Sequence, residues 1–362
     1  MSTIAPARTG SAPFHMPSLD GIRAVSIMIV FIAHVGFNSL VPAQFGVTVF
    51  FFLSGYLITT LLRREFEKTD RIGLGHFYLR RVLRILPPFY AVLVLAIVLS
   101  ELLVTPTTTE PESVWAVSFH WANYYIVEHG ERGFVPGTGV YWSLAVEEHF
   151  YLLFPLVFIL MHRLGLTPRR MAAVMLGLCA LVLAWRVNLW MTTDVVDPFQ
   201  RLAVATDTRF DSLLFGCVLA VLGNPALDLS RWTEKVWKYV LFPAAAAGLI
   251  LTFVVDSEAF KQTFRYSVQG ICLIPIFVCA VRYPTWWVMR PLNWRPMAFL
   301  GLLSYSLYLC HLIVLAAITE QVPGISRPAL AVVGFAASVG VSWGIYQVIE
   351  RPCLRLRRRL SA

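Results

Sequence analysis

The sequence predicts an all-α fold, a polytopic helical bundle of about ten transmembrane helices with both termini in the cytoplasm. Three observations predict it. The 362 residues are 57% hydrophobic and only 14% charged, with a mean hydropathy of +0.67, whereas roughly a quarter of the residues in a soluble domain are charged. Lipid must therefore solvate much of the chain. Apolar runs of bilayer-crossing length, about 20 residues each, recur from end to end, and the basic residues fall between them in regular alternation. The same composition excludes a disordered chain, a collagen-like chain and a small disulfide-stapled secreted domain. Cys179, Cys217, Cys272, Cys279 and Cys310 lie in or beside apolar runs, where thiols pack as small side chains.

Taken in order, residues 1–18 lack the apolar core of a signal peptide and read as a cytoplasmic tail. The membrane domain occupies 19–350, and 351–362 form a basic cytoplasmic tail. Spans are expected at 21–40, 45–62, 86–104, 142–161, 171–191, 239–255, 268–281, 299–319 and 328–349. A tenth, at 211–222, is short. Its polar approach, Thr206-Asp207-Thr208-Arg209-Phe210-Asp211, is expected to continue that helix into a protein-lined interior, because lipid does not tolerate such charges. With the N-terminus inside, 23 of the 30 Lys and Arg residues fall in inner segments and six in outer ones, and Arg186 lies within a span. That is the positive-inside pattern. The net charge of +9 is thereby assigned to topology, and no nucleic-acid partner is expected. The outer segment 105–141 carries Trp115, Phe119, Trp121, Tyr124 and Tyr125, which suit either an interfacial helix or a platform for a sugar-like acceptor. No internal repeat is visible.

Charged side chains at membrane depth cost roughly 2.5–3.5 kcal/mol each on insertion scales, so they must be paired or functional. Arg23 and His34 are eleven residues apart, three helical turns plus about 20°, and so share a face with an axial separation of about 16 Å. Asp20 falls near the same stripe. This arrangement suits a long ligand lying along the helix, with a cation at one end and an imidazole at the other. In the span opening at Trp142, residues Ser143, Glu147 and Tyr151 share a second face, while Glu148 and His149 point elsewhere. Glu147 is a candidate to orient an imidazole or accept a hydroxyl proton; the alternative is an ion pair with Arg186 or Arg209. Arg80, Arg81 and Arg84 stand at a span mouth on the same side as Arg23, and Arg80 with Arg84, four apart, can clamp a phosphate.

These segments together resemble the membrane-bound acyltransferase 3 family, which includes bacterial O-antigen, exopolysaccharide and Nod-factor acyltransferases. The match runs from Leu19-Asp20-Gly21-Ile22-Arg23-Ala24 through His34, an Arg, ten residues, then His. It continues through Phe50 to Thr59 (containing Ser54-Gly55), Phe77 to Pro88, Trp142 to Glu148 and Asp207 to Gly216. It ends with Leu303 to His311 and Glu350-Arg351-Pro352. His149 stands where the family often has Gln.

The resemblance implies transfer of an acyl group, commonly acetyl, from acyl-CoA to a hydroxyl of a cell-surface glycan or glycolipid precursor, in the inner (plasma) membrane. It gives His34 a catalytic role and Arg23 an essential one. Combined with the residue pattern, this places Arg80, Arg81 and Arg84 toward the CoA phosphates, His34 as general base or as nucleophile forming an acyl-imidazole, Glu147 as candidate orienter, and Arg23, Ser54 or Tyr151 toward the developing oxyanion. Asp20, Ser54, Ser143, Glu148, Tyr151, Asp207, Arg209, Asp211 and His311 are further buried polar candidates, no metal is expected, and the chain reads as a transferase core alone. The competing reading is a transporter or flippase for a glycolipid or small molecule, since intramembrane Arg, Glu and His also mark proton relays.

Overall fold

The computed structural model describes residues 16–38, 42–102, 105, 108–192 and 198–360. Most of the N-terminal tail and the last two residues of the C-terminal tail lie outside the described residues. Sixteen α-helices follow in chain order. The first three, α1 (Pro17–Ile32), α2 (Ala43–Thr69) and α3 (Leu74–Glu101), are long. Two short outer helices, α4 (Pro111–Ser118) and α5 (Ala122–His129), precede α6 (Trp142–Arg163) and α7 (Pro168–Thr192). Then come α8 (Pro198–Val204), α9 (Thr206–Val221), α10 (Glu234–Val236), α11 (Phe242–Val254) and α12 (Glu258–Gln262). The last four are α13 (Phe264–Arg282), α14 (Arg295–Gln321), α15 (Arg327–Ile345) and α16 (Arg351–Leu360). Proline opens α1, α4, α14 and α15, where its missing N–H was never going to find an intrahelical acceptor.

Among the described residues nine helical stretches are long and apolar enough to cross a membrane, in the places the apolar runs indicate. The helices overrun those runs where the sequence turns basic. The second continues past Leu62 to Thr69, and the third begins at Leu74, twelve residues before its apolar stretch. Hydropathy registers only the part immersed in lipid, whereas backbone hydrogen bonding continues through the amphipathic ends that carry Arg63, Arg80, Arg81 and Arg84.

The tenth run is α9, which starts at Thr206 as its polar approach suggests. Its 16 residues rise about 24 Å, too short to span a bilayer with margin. It does not need that margin, because 13 of its residues are buried by neighbouring helices. Around this interior the outward faces are apolar: Leu152, Leu153, Leu156 and Leu160 of α6 and Val94 and Val98 of α3 are exposed. In water such a belt would drive aggregation; in a bilayer it is the lipid contact.

Small residues set the closest helix crossings. A Cβ added at Gly55 on α2 would overlap the Leu213 carbonyl of α9, and one at Gly216 on α9 would overlap that of Phe52 on α2. Without a hydrophobic drive between helices in lipid, such backbone approach is a main source of association. Gly216→Ala is expected to lower stability by about 1–3 kcal/mol, read as thermal unfolding in detergent. Gly340→Ala, where a Cβ meets nothing, leaves it unchanged.

Candidate active site

The end of α1 is locally rewound. Residues Ala33–Phe37 form a π-helical turn that closes at Gly36 with φ +102°, a left-handed conformation suited to glycine. Wide turns of this kind recur at functional sites. His34 lies on the turn, half-buried, with its Nδ1 3.0 Å from Nε2 of His311 on α14. The two rings stack at 5.2 Å and 29°. His311 is fully buried, and its Nδ1 lies 2.8 Å from the Tyr308 carbonyl and 3.2 Å from that of Leu307. The Tyr308 hydroxyl, one turn away, meets Ser143 of α6 at 2.6 Å and donates to the Val140 carbonyl at 2.9 Å. This ties the imidazole-bearing stretch of α14 to the start of α6.

Deeper along α6, Glu147 accepts from Ser54 of α2 at 2.8 Å, and the single hydroxyl proton of Tyr151 is shared between Glu147 at 3.1 Å and Ser54 Oγ at 3.0 Å. The i, i+4 register places Glu147 and Tyr151 together as their spacing indicates. Two expectations change here. No hydrogen bond joins Glu147 to His34 among the described residues, so the imidazole is held by His311 and not by this carboxylate. Ser54 and Tyr151 already donate their hydroxyl protons within the cluster, which leaves neither free as an oxyanion donor.

Next to this cluster, the guanidinium of Arg81 lies 5.1 Å over the Tyr151 ring. Arg81, Tyr151 and Glu148 line a cavity of about 180 Å³ between α3 and α6, with Tyr78, Ile85 and Leu86. Arg84 lies within electrostatic reach of Arg23, Glu147 and Glu350. Arg23 itself bonds Asp20 at 2.7 Å. Three arginines from α1 and α3 thus gather around the carboxylates of α6 and Glu350 on the π-helical turn Tyr346–Glu350 that follows α15. Neither Arg81 nor Arg84 donates a hydrogen bond to a carboxylate among the described residues, so both retain donors for an anionic ligand. Arg80 differs from the expectation: it pairs with Glu65 at 3.1 Å, and the inward-facing pair is Arg81 with Arg84, three residues apart.

The remaining polar candidates build the frame. Asp211 and Arg186, both with 0% side-chain exposure, pair through two hydrogen bonds of 2.9 and 2.7 Å, and Ser267 bonds both. Arg209 stacks 3.8 Å from the Tyr266 ring and donates to Thr48 and the Ala203 carbonyl. Neither arginine pairs with Glu147, so that alternative is not realised. Asp207 takes a bidentate Arg201 at 3.0 and 2.5 Å and the Trp185 indole at 2.6 Å. His149 bonds Thr206 at 2.7 Å and packs on Trp121 and Tyr124, away from the His34 pair. Trp115 and Phe119 are exposed. No three His, Cys, Asp or Glu residues stand together as a metal site among the described residues.

Sequence reasoning missed the pairing of His34 with His311, 277 residues apart, and the bond from Ser306 of α14 to Glu350 on the turn that follows α15. Both residues lie in quoted motifs, but no spacing signals contact over such separations.

An all-helical bundle with apolar outward faces, a buried imidazole pair and inward-facing arginines defines a polytopic membrane protein. The acyltransferase 3 model, described as an acyltransferase domain, matches residues 16–347, and the chain belongs to that family. The peptidoglycan O-acetyltransferase OatA of Listeria monocytogenes serovar 1/2a is 28% identical over 351 residues, covering 93% of this chain and 56% of the relative. The O-acetyltransferase OatA of Staphylococcus aureus strain NCTC 8325 is 31% identical over 310 residues, covering 83% and 50%. A putative O-acetyltransferase of S. aureus strain MSSA476 is 29% identical over 319 residues, covering 83% and 51%. The chain spans about half the length of the curated relatives it matches. No solved structure matches it significantly.

Proposed function

We propose that this chain is a membrane O-acyltransferase, using acyl-CoA, with acetyl the expected group, to esterify a hydroxyl of a cell-surface glycan in the inner (plasma) membrane. Its termini are cytoplasmic on this reading, as the 23 to 6 split of basic residues supports. The observation that carries the proposal is the His34–His311 pair in a bundle that also gathers Arg81, Arg84 and Arg23 near the carboxylates of α6. Eleven residues of helical rise from Arg23 on α1 to His34 on the turn that follows amount to about 16 Å, of the order of the arm that links a CoA phosphate to its thioester. The relatives' names point to peptidoglycan as the glycan class.

On this reading Arg81 and Arg84 hold the donor phosphates, the arm passes Arg23, and the thioester meets the acceptor beside His34. His34 takes the hydroxyl proton as the oxygen attacks the thioester carbon. The carbon–sulfur bond then breaks, CoA leaves as thiolate, and His34 returns the proton to it. A charge-assisted hydrogen bond to phosphate contributes about 1.5–3 kcal/mol. Arg81→Ala is therefore expected to raise the KM for acyl-CoA roughly 10- to 150-fold with kcat little changed, in steady-state assays of purified protein. Arg80→Ala, whose partner is Glu65, changes KM little. Equal effects of the two substitutions would remove Arg81 from the donor site.

A further inference from the structure

We propose that His311 is a positioning residue that sets the tautomer of His34, keeping the ring proton on Nδ1 and presenting a bare Nε2 to the acceptor hydroxyl. The inference rests on reading His34 as the base of the transfer, and it names the atom that does the work. An imidazole with its proton on the wrong nitrogen cannot accept one where the substrate stands, and the hydrogen bond made by the far nitrogen decides which form is present.

The direction of the chain of bonds follows from its inner end. His311 Nδ1 faces two backbone carbonyls, Tyr308 at 2.8 Å and Leu307 at 3.2 Å. A carbonyl only accepts, so Nδ1 of His311 carries hydrogen. A hydroxyl at that position would allow the chain to reverse; a carbonyl does not. The side chain of His311 is fully buried, with the rings of Phe31, Tyr308 and His34 around it and, among the described residues, no carboxylate bonded to it. A buried cation without a counter-charge is costly. His311 is therefore neutral, and its Nε2 is an acceptor. The atom 3.0 Å from that Nε2 is Nδ1 of His34, which must donate. The proton of neutral His34 thus resides on Nδ1, and its Nε2 keeps a free lone pair. His34 is half-buried whereas His311 is fully buried, so of the two rings His34 is the one a substrate can approach. His34 stands on the π-helical turn Ala33–Phe37, and from there its Nδ1 meets His311 of α14.

Two variants separate positioning from simple packing. In His311→Gln the amide oxygen stands near the place of Nε2 and still accepts from His34. In His311→Phe the ring is retained and the acceptor lost. The measurement is nitrogen-15 NMR of histidine-labelled full-length protein in nanodiscs, with the His34 signals identified by their absence in His34→Gln. The wild type is expected to show a protonated Nδ1 and a bare Nε2 at His34. His311→Phe shifts the population toward the Nε2–H form, and His311→Gln restores the wild-type pattern. In transfer assays His311→Phe lowers kcat roughly 10²- to 10⁴-fold, the range for loss of a correctly placed base, with the KM for acyl-CoA unchanged, and His311→Gln recovers most of it. A proton on Nε2 of His34 in the wild type, or a tautomer indifferent to His311→Phe, overturns the inference. Should His311→Phe fail to fold, the wild-type spectrum decides alone. If the tautomer is as stated but His34→Gln still transfers acyl groups, the reading of His34 as the base fails and the positioning by His311 stands.

Discussion

Replacing His34 with Gln is expected to lower acyl transfer roughly 10²- to 10⁴-fold, the usual contribution of a placed general base, while the protein still inserts and elutes as the wild type does. The reason lies in where the side chain stands. His34 sits on a π-helical turn held by its own backbone, so its substitution removes one bond, to His311, and opens no large void. A structural histidine at this place would give the opposite pattern, with stability reduced and residual activity in proportion to the folded fraction. Ester formation on the acceptor and thermal unfolding, measured on the same preparation, separate the two.

The largest effect on stability is expected at Asp211. Its carboxylate and the Arg186 guanidinium are wholly enclosed between α7, α9 and α13, with Ser267 bonded to both. Asp211→Leu leaves a buried cation without its counter-charge, a loss of about 3–5 kcal/mol. Adding Arg186→Met removes that cation, and buried pairs replaced by apolar side chains of similar volume are often neutral. The double variant is therefore expected to recover most of the loss, read as the unfolding temperature in detergent. If Asp211→Leu unfolds at the wild-type temperature, the pair does not hold α9 in place.

Much of this molecule is written locally, and that part is legible in the chain. Apolar runs place the spans because lipid imposes one requirement on every stretch, and the polar approach to α9 marks it as interior because Arg209 and Asp211 have no other tolerable place. The face shared by Glu147 and Tyr151 follows from helical pitch. Partners across helices are another matter. Glu147 turns to Ser54 of α2 and not to His34, Arg80 turns to Glu65 and leaves Arg81 and Arg84 facing inward, and Arg186 closes on Asp211. Each of these choices depends on which helices neighbour each other and how they are rotated. Pitch along a single helix carries no information about either. His311 is the clearest instance, for its motif is visible and its contact with His34 is a product of tertiary packing alone.

On the proposed function, His34 acts in moving an acyl group onto a hydroxyl. The most direct measurement is made on purified protein in proteoliposomes, with acyl-labelled acetyl-CoA and soluble peptidoglycan fragments as acceptor. The account predicts label in a base-labile ester on the glycan with wild-type protein and almost none with His34→Gln. Label or glycan that crosses the vesicle membrane without ester formation, or esterification undiminished by His34→Gln, would contradict it.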